Sequence, residues 1–154
     1  MVSPPDNVTR VYRIVSPQYP PFDGSGTYRW GSRWLSPGRY VVHTAESYSL
    51  AVLENLVHWQ TSSIPKSLLC VAADIPNEIE QEELDRNDLP EPNNYTQFQE
   101  IGDDWYERGE TAVLWVPSVI SPVEFNILIN QKHADFVHIG IQDPSPANID
   151  PRLS

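Results

Sequence analysis

With 154 residues, 40% of them hydrophobic and 20% charged, the chain has the size and composition of one globular domain with a substantial core. A formal net charge of −11 argues against direct binding to nucleic acid or to an anionic membrane. The longest apolar runs, such as Leu68 to Ala73, fall far short of the ~20 residues that cross a bilayer.

The lone Cys70 excludes an internal disulfide framework and suits a reducing compartment. The opening MVSPPDN lacks a basic region followed by an apolar one, so no secretory leader is expected and a cytoplasmic location is. Charge is unevenly placed. Residues 1 to 39 carry five basic residues and two acids, net +3, and the remainder carries five basic residues and nineteen acids, net −14. An anionic small ligand is therefore expected in the N-terminal third, and a basic protein partner on the rest.

In chain order, residues 1 to 8 read as a tail and 9 to 154 as the domain. Thr9 to Val15 alternates as a first strand with Tyr12 and Arg13 at its centre. Pro17 to Gly26 is turn-rich. A Gly-rich turn carrying Arg33 then leads to a strand from Tyr40 to His43 and a helix running to about Trp59, with Thr44 as its cap and Glu46 in its first turn. On a helical wheel Leu50, Leu53 and Val57 share one arc, the expected core side, and Glu54 falls in it. Such a carboxylate is either half-exposed at the stripe's edge or held at the floor of a cleft, with Arg33 as the candidate to share that cleft.

Ser62 to Pro65 is expected to break the helix. Lys66 to Ile75 reads as a central strand buried on both faces. Pro76 to Tyr95 holds seven acids against one base, Arg86, and reads as a solvated loop. A helix from Thr96 to Arg108 follows, weakened by Gly102 and anchored by Trp105. Thr111 to Val116, Glu124 to Asn130 and Phe136 to Ile141 complete the strands, and Ser118 sits just past a strand end. The expected fold is α+β, one domain with a mixed central sheet and a few helices.

Phosphate-loop, dinucleotide and C-x-x-C motifs are missing from the sequence. His133, Asp135 and His138 are a weak metal candidate, because 133 and 138 straddle the start of the last expected strand. Ser118 lacks the flanking glycines of a nucleophile elbow. Trp30 and Trp34 bracket Arg33, either as core residues or as walls of a pocket that stacks a flat ring.

The run G-S-R-W-L-S-P-G-R-Y-V-V-H, followed by A-E-S-Y-S-L-A-V-L-E-N-L-V-H, resembles the opening of RES-domain sequences, which typically carry G-G-R-W-N, a tyrosine-ended strand and a helix with a central glutamate. I-G-D-D-W at 101 to 105, V-P-S at 116 to 118, E-F-N-I-L-I-N, H-A-D-F and the terminal D-P-R-L continue the pattern, so the resemblance spans about residues 9 to 153. It places the family's arginine, glutamate and serine on Arg33, Glu54 and Ser118. Two positions depart: His43 stands for the usual tyrosine and Leu35 for the usual asparagine.

The resemblance implies a fold similar to ADP-ribosyltransferase toxins and a toxin–antitoxin component that consumes NAD as substrate, without a metal, by cleaving the nicotinamide–ribose bond. Glu54 is expected to act on the ribose and its transition state, Arg33 on the diphosphate, Ser118 on the ribose or amide, and His43 against the ring. Trp34, Tyr12, Arg13 and Asn126 are expected to help bind substrate. A helix-turn-helix antitoxin is the expected partner, with room for a homodimer in the complex. ADP-ribosylation of a protein target is the alternative. A non-catalytic interaction module, favoured by His43 and Leu35, and a metal hydrolase on His133, Asp135 and His138 are the rivals.

Overall fold

The computed structural model describes residues 4 to 58 and 67 to 153. Eight strands and three α-helices follow one another as β1 (Val8–Val15), α1 (Ser25–Trp30), β2 (Val41–Ala45), α2 (Tyr48–His58), β3 (Leu69–Pro76), β4 (Gln81–Glu83), α3 (Tyr95–Arg108), β5 (Val113–Pro117), β6 (Phe125–Asn130), β7 (Gly140–Ile141) and β8 (Ser145–Pro146). The strands make one sheet in the order β4-β5-β6-β2-β1-β3-β7, with β8 also pairing β3. β4 and β5 run parallel and the other pairs antiparallel, so the sheet is mixed and the fold is α+β. Among the described residues, no helix is long and apolar enough to cross a membrane.

The backbone of the sheet is the β1–β3 ladder, in register from Val8 opposite Pro76 to Val15 opposite Leu69. Arg10 faces Asp74 there and holds its carboxylate in a fork of 2.7 and 2.9 Å. Side chains alternate across the sheet, so each strand feeds two cores. Val11, Val42, Val71, Ala73, Ile75, Val113, Ile127 and Ile129 share one face with Phe22 and Ile139. On the other face, Val41, Leu114, Val116 and Leu128 pack under Phe98 and Trp105 of α3. Ile14 and Ala45 pack under Leu50 and Ala51 of α2. Both long helices thus lie on one face, and β2 passes beneath their seam.

Helix α3 is built for close approach. Phe98, Gly102 and Trp105 lie four and three residues apart and form its buried stripe. The Asn94 side chain caps its start by accepting from Gln97 N–H, and Gly109, at φ 61°, ends it. Gly102, expected to weaken the helix, has a packing role. A Cβ there would run into the Trp34 carbonyl oxygen, so glycine is what lets α3 lie on the 31–36 segment. The short helix α1 needs the same device. A Cβ on Gly24, at φ 76°, would come within 2.6 Å of Val41 N, where α1 meets β2.

The structure corrects several expectations. Ser25 and Gly26, read as the end of a turn-rich loop, instead open α1, which glycines at 24 and 31 bound. The acidic 76–95 segment contributes β4 rather than loop alone: Leu84 N–H donates to Trp115 O at 2.8 Å beyond the β4–β5 pairing. Phe136–Ile141 is not a strand. Ala134 to His138 form a 3-10 turn capped by His133, and strand structure is limited to Gly140–Ile141. Thr44 does not cap α2; its hydroxyl bonds Ile127 O within the sheet at 2.9 Å, and Ser47 caps instead. Glu46 precedes the helix and accepts from Phe125 N–H at 2.7 Å. The core arc of α2 is rotated from Leu53 and Val57, 42% and 63% exposed, toward Leu50, Ala51 and Val52. The expected helix end at Trp59 and the break at 62 to 65 lie outside the described residues.

Candidate active site

Helix α2 starts at a junction with β6. Ser47 Oγ accepts from Leu50 N–H at 3.1 Å, as an N-cap should, and donates to Glu124 Oε2 at 2.7 Å. Glu54 lies one turn beyond the fully buried Leu50 and is itself half-buried, with its carboxylate 3.4 Å from the Ser118 hydroxyl. Two of the core companions expected for Glu54, Leu53 and Val57, face outward.

Ser118 follows β5 and is 2% exposed. Its hydroxyl oxygen accepts from Ile120 N–H at 3.1 Å and Ser121 N–H at 3.0 Å, and the hydroxyl donates to Glu54 Oε1 at 3.4 Å. The loop from 118 to 124 closes on itself through Ser118 N–H to Glu124 O at 2.9 Å. Glu124 Oε1 accepts from Ser121 Oγ at 2.9 Å, so a single carboxylate ties the serine loop to the cap of α2. Arg86 reaches the loop from outside and donates to Ser118 O at 3.1 Å and Glu124 O at 2.8 Å.

His43 lies on β2 between Val41, beneath α3, and Ala45, beneath α2. Its Nδ1 pairs with Thr27 Oγ1 at 3.2 Å. Its carbonyl accepts from Arg13 Nη1 at 3.0 Å, while Arg13 Nε donates to Pro21 O at 3.1 Å. Strands β1 and β2 pair at Tyr12 opposite Ala45, and Arg13 bridges them next to that pair. Burial lowers the Arg13 guanidinium from its ordinary pKa, with Asp23 opposing the shift. Tyr12 stands edge-on to Tyr48 at 6.4 Å, over the start of α2. Asn126, opposite Ala45, donates to Thr44 O at 3.4 Å.

Arg33 belongs to a different neighbourhood. Its guanidinium donates to Pro92 O at 2.7 Å and Tyr95 Oη at 3.2 Å, and it lies over the rings of Tyr95 and Phe98 at 4.5 and 5.0 Å. Trp34 is 4% exposed and edge-on to Phe98, so its indole is a core element and presents little face for stacking a ligand. The structure thus joins Glu54 to Ser118 and His43 to Arg13 and Thr27, and holds Arg33 at the start of α3. Sequence reasoning missed Ser47, Glu124 and Arg86. The signal available for Arg86 was its isolation as the one base among seven acids. His133 spends Nδ1 on the Asp135 amide at 3.0 Å, and no group of three or more His, Cys, Asp or Glu able to hold a metal occurs among the described residues.

The RES domain model matches residues 10–150. A protein named Toxin Res from Photorhabdus laumondii is 36% identical over 131 residues, covering 82% of this chain and 84% of that protein. The Prs ADP-ribosylating toxin of Sphingobium sp. (strain YBL2) is 34% identical over 137 residues, with 84% of each covered. In a crystal structure of the M. tuberculosis MbcT–MbcA toxin–antitoxin complex, one chain superposes with a TM-score of 0.75 at 13% identity, over 95% of this chain and 86% of that one, a likeness of fold. With the family model matching residues 10–150 of the 154, the chain belongs to the RES domain family.

Proposed function

We propose that this chain is the toxin of a toxin–antitoxin pair and consumes NAD by breaking the bond between nicotinamide and ribose. The observation that carries the reading is the Glu54–Ser118 pair, a carboxylate and a hydroxyl 3.4 Å apart on a helix and a loop that Glu124 locks together. Relatives named as toxins, one of them as ADP-ribosylating, support the class.

The chemistry suits such a site. As the glycosidic bond breaks, its electron pair leaves with nicotinamide, whose ring loses its positive charge, and cationic character builds on the ribose C1. Glu54 stabilises that charge and binds the ribose hydroxyls, in the manner of a glycosidase carboxylate. The acceptor oxygen then bonds C1 and gives up its proton. Ser118 orients the ribose or amide, His43 lies against the nicotinamide ring, and the Arg33 fork takes the diphosphate. Tyr12 and Asn126 border the same seam; Arg13, whose side chain shares the opposite face with Val11 and Val15, acts by fixing the His43 backbone.

A second reading differs only in the acceptor: a protein side chain in place of water or phosphate, favoured by the name of the Sphingobium relative. The partner in either case is an antitoxin, of helix-turn-helix type, and the site of action is the cytoplasm. Incubating the purified chain with NAD labelled in the adenylate, with and without cell extract, tests both. Free nicotinamide with soluble label supports glycohydrolysis or phosphorolysis, and label on protein supports transfer. No free nicotinamide in either mixture refutes NAD consumption.

A further inference from the structure

We propose that Arg86 is a positioning residue that fixes the Ser118 hydroxyl as a hydrogen-bond donor aimed at Glu54 and the substrate. The proposal rests on Ser118 and Glu54 forming the site proposed above. A serine hydroxyl has one proton to give and two lone pairs to fill. Both acceptor positions of Ser118 Oγ are taken by the Ile120 and Ser121 amides, at 3.1 and 3.0 Å. The proton is thereby left to point at Glu54, so the serine donates and does not attack.

That state depends on the turn from 118 to 121 keeping its shape, and Arg86 clamps the two ends of the loop from outside, in addition to the Ser118 N–H bond to Glu124 O that closes it. One guanidinium nitrogen binds the Ser118 carbonyl at 3.1 Å and the other binds the Glu124 carbonyl at 2.8 Å. A planar fork matches two parallel acceptors where an ammonium matches one. The fork also lies 5.7 Å from the Phe125 ring centre. The route from sequence to this placement is direct. β4 runs parallel to β5, and the backbone bond from Leu84 N–H to Trp115 O carries the chain past the end of that ladder. Asp85 then caps a short 3-10 turn by accepting from Asn87 N–H at 2.8 Å, which brings Arg86 alongside the end of β5. The acidic segment thus exists partly to deliver one cation to the serine loop.

Two measurements test this. In NAD turnover, Arg86→Ala should lower kcat by about 10- to 100-fold with little change in KM, as expected for a misplaced group in the reacting geometry. Arg86→Lys should recover part of the loss, millimolar guanidinium should rescue Arg86→Ala, and Arg86→Ala should add nothing in a Ser118→Ala background. A further fall in that background, or unchanged kcat in Arg86→Ala, overturns the proposal. The second measurement needs no activity. Amide hydrogen exchange at Ile120 and Ser121 should quicken by about tenfold or more in Arg86→Ala, or in Arg86→Lys if the alanine variant does not fold, while Val113 and Ile127 keep their protection. Unchanged exchange at 120 and 121 refutes the positioning role even if NAD is not the substrate, and failure of NAD turnover in the unaltered protein refutes only the chemistry.

Discussion

The Ser118 hydroxyl and the Glu54 carboxylate approach to 3.4 Å across 64 residues of sequence. That separation exceeds the ~2.7–2.8 Å typical of an O–H···O bond, so the contact is weak enough to exchange for one to a ribose hydroxyl. What sets the distance is not the pair itself but Glu124, which receives the capping serine of α2 on one oxygen and Ser121 on the other. The helix carrying the carboxylate and the loop carrying the serine are therefore referenced to the same side chain. Preorganisation of this kind is how an enzyme stabilises charge without reorganising at the moment of reaction.

Glu54→Gln keeps the size of the side chain, removes its charge and turns one acceptor oxygen into an amide donor. It should fold with an unchanged melting temperature and lose on the order of 10²–10³-fold in kcat for nicotinamide release. A folded variant with the unaltered protein's turnover would remove Glu54 from the mechanism.

How much of this was legible in the sequence depends on how local each feature is. β1, β3, β5 and β6 announce themselves by alternation or by continuous apolar runs, and the structure places each within a few residues of expectation. Glu54 was legible because four residues separate it from Leu50. Its stripe was misassigned because Leu53 and Val57 outweigh Ala51 on any hydrophobic scale, although small residues are what allow α2 to sit close to β1 and β2. The bond from Ser47 to Glu124 and the clamp at Arg86 were hidden for another reason. Their partners, Glu124 and the Ser118 carbonyl, lie 77 and 32 residues away, and only the closed sheet brings them together.

Gly102→Ala tests the packing that presents Arg33. The added methyl would meet the Trp34 carbonyl, so either α3 or the 31–36 segment must move. Overpacking of this kind costs about 1–3 kcal/mol. At roughly 2–4 °C per kcal/mol for a chain of this size, the melting temperature should fall by several degrees. A calorimetric midpoint within about 1 °C of the unaltered protein would show that the approach is looser than the structure has it.

Stability should depend on pH through Glu82. Burial alone pushes its carboxyl up, but hydrogen bonds from Arg108 and Thr111 outweigh that and hold it below the ordinary value. The bonds measure 2.9 and 2.6 Å, and the Trp105 indole donates to the same Thr111 hydroxyl at 3.0 Å. A carboxyl depressed in the folded state contributes stability that is complete above the unfolded value, about 4.3, and is lost as pH falls through the lower folded value. Glu82→Gln should therefore melt below the unaltered protein at neutral pH, with the gap closing below about pH 4. A gap that stays constant into acid would assign the effect of Glu82 to packing instead of charge.

Arg33 occupies a resting position that we expect diphosphate binding to displace. Two of its five N–H groups donate to the Pro92 carbonyl and the Tyr95 hydroxyl, and its plane rests on the Tyr95 and Phe98 rings. Binding NAD then exchanges these bonds for stronger, charge-assisted ones to phosphate. Two variants follow from that exchange, and both are best read by calorimetric titration of NAD into the Glu54→Gln background, where substrate survives. Arg33→Lys keeps the charge and loses the fork, so NAD should bind about tenfold more weakly. Tyr95→Phe removes one resting bond and keeps the ring. A net hydrogen bond of about 0.5–1.5 kcal/mol is thereby released from competition, and NAD should bind roughly 2- to 10-fold more tightly. Weaker binding in Tyr95→Phe would mean that the phenol itself contacts the nucleotide, and that Arg33 already sits where the diphosphate needs it.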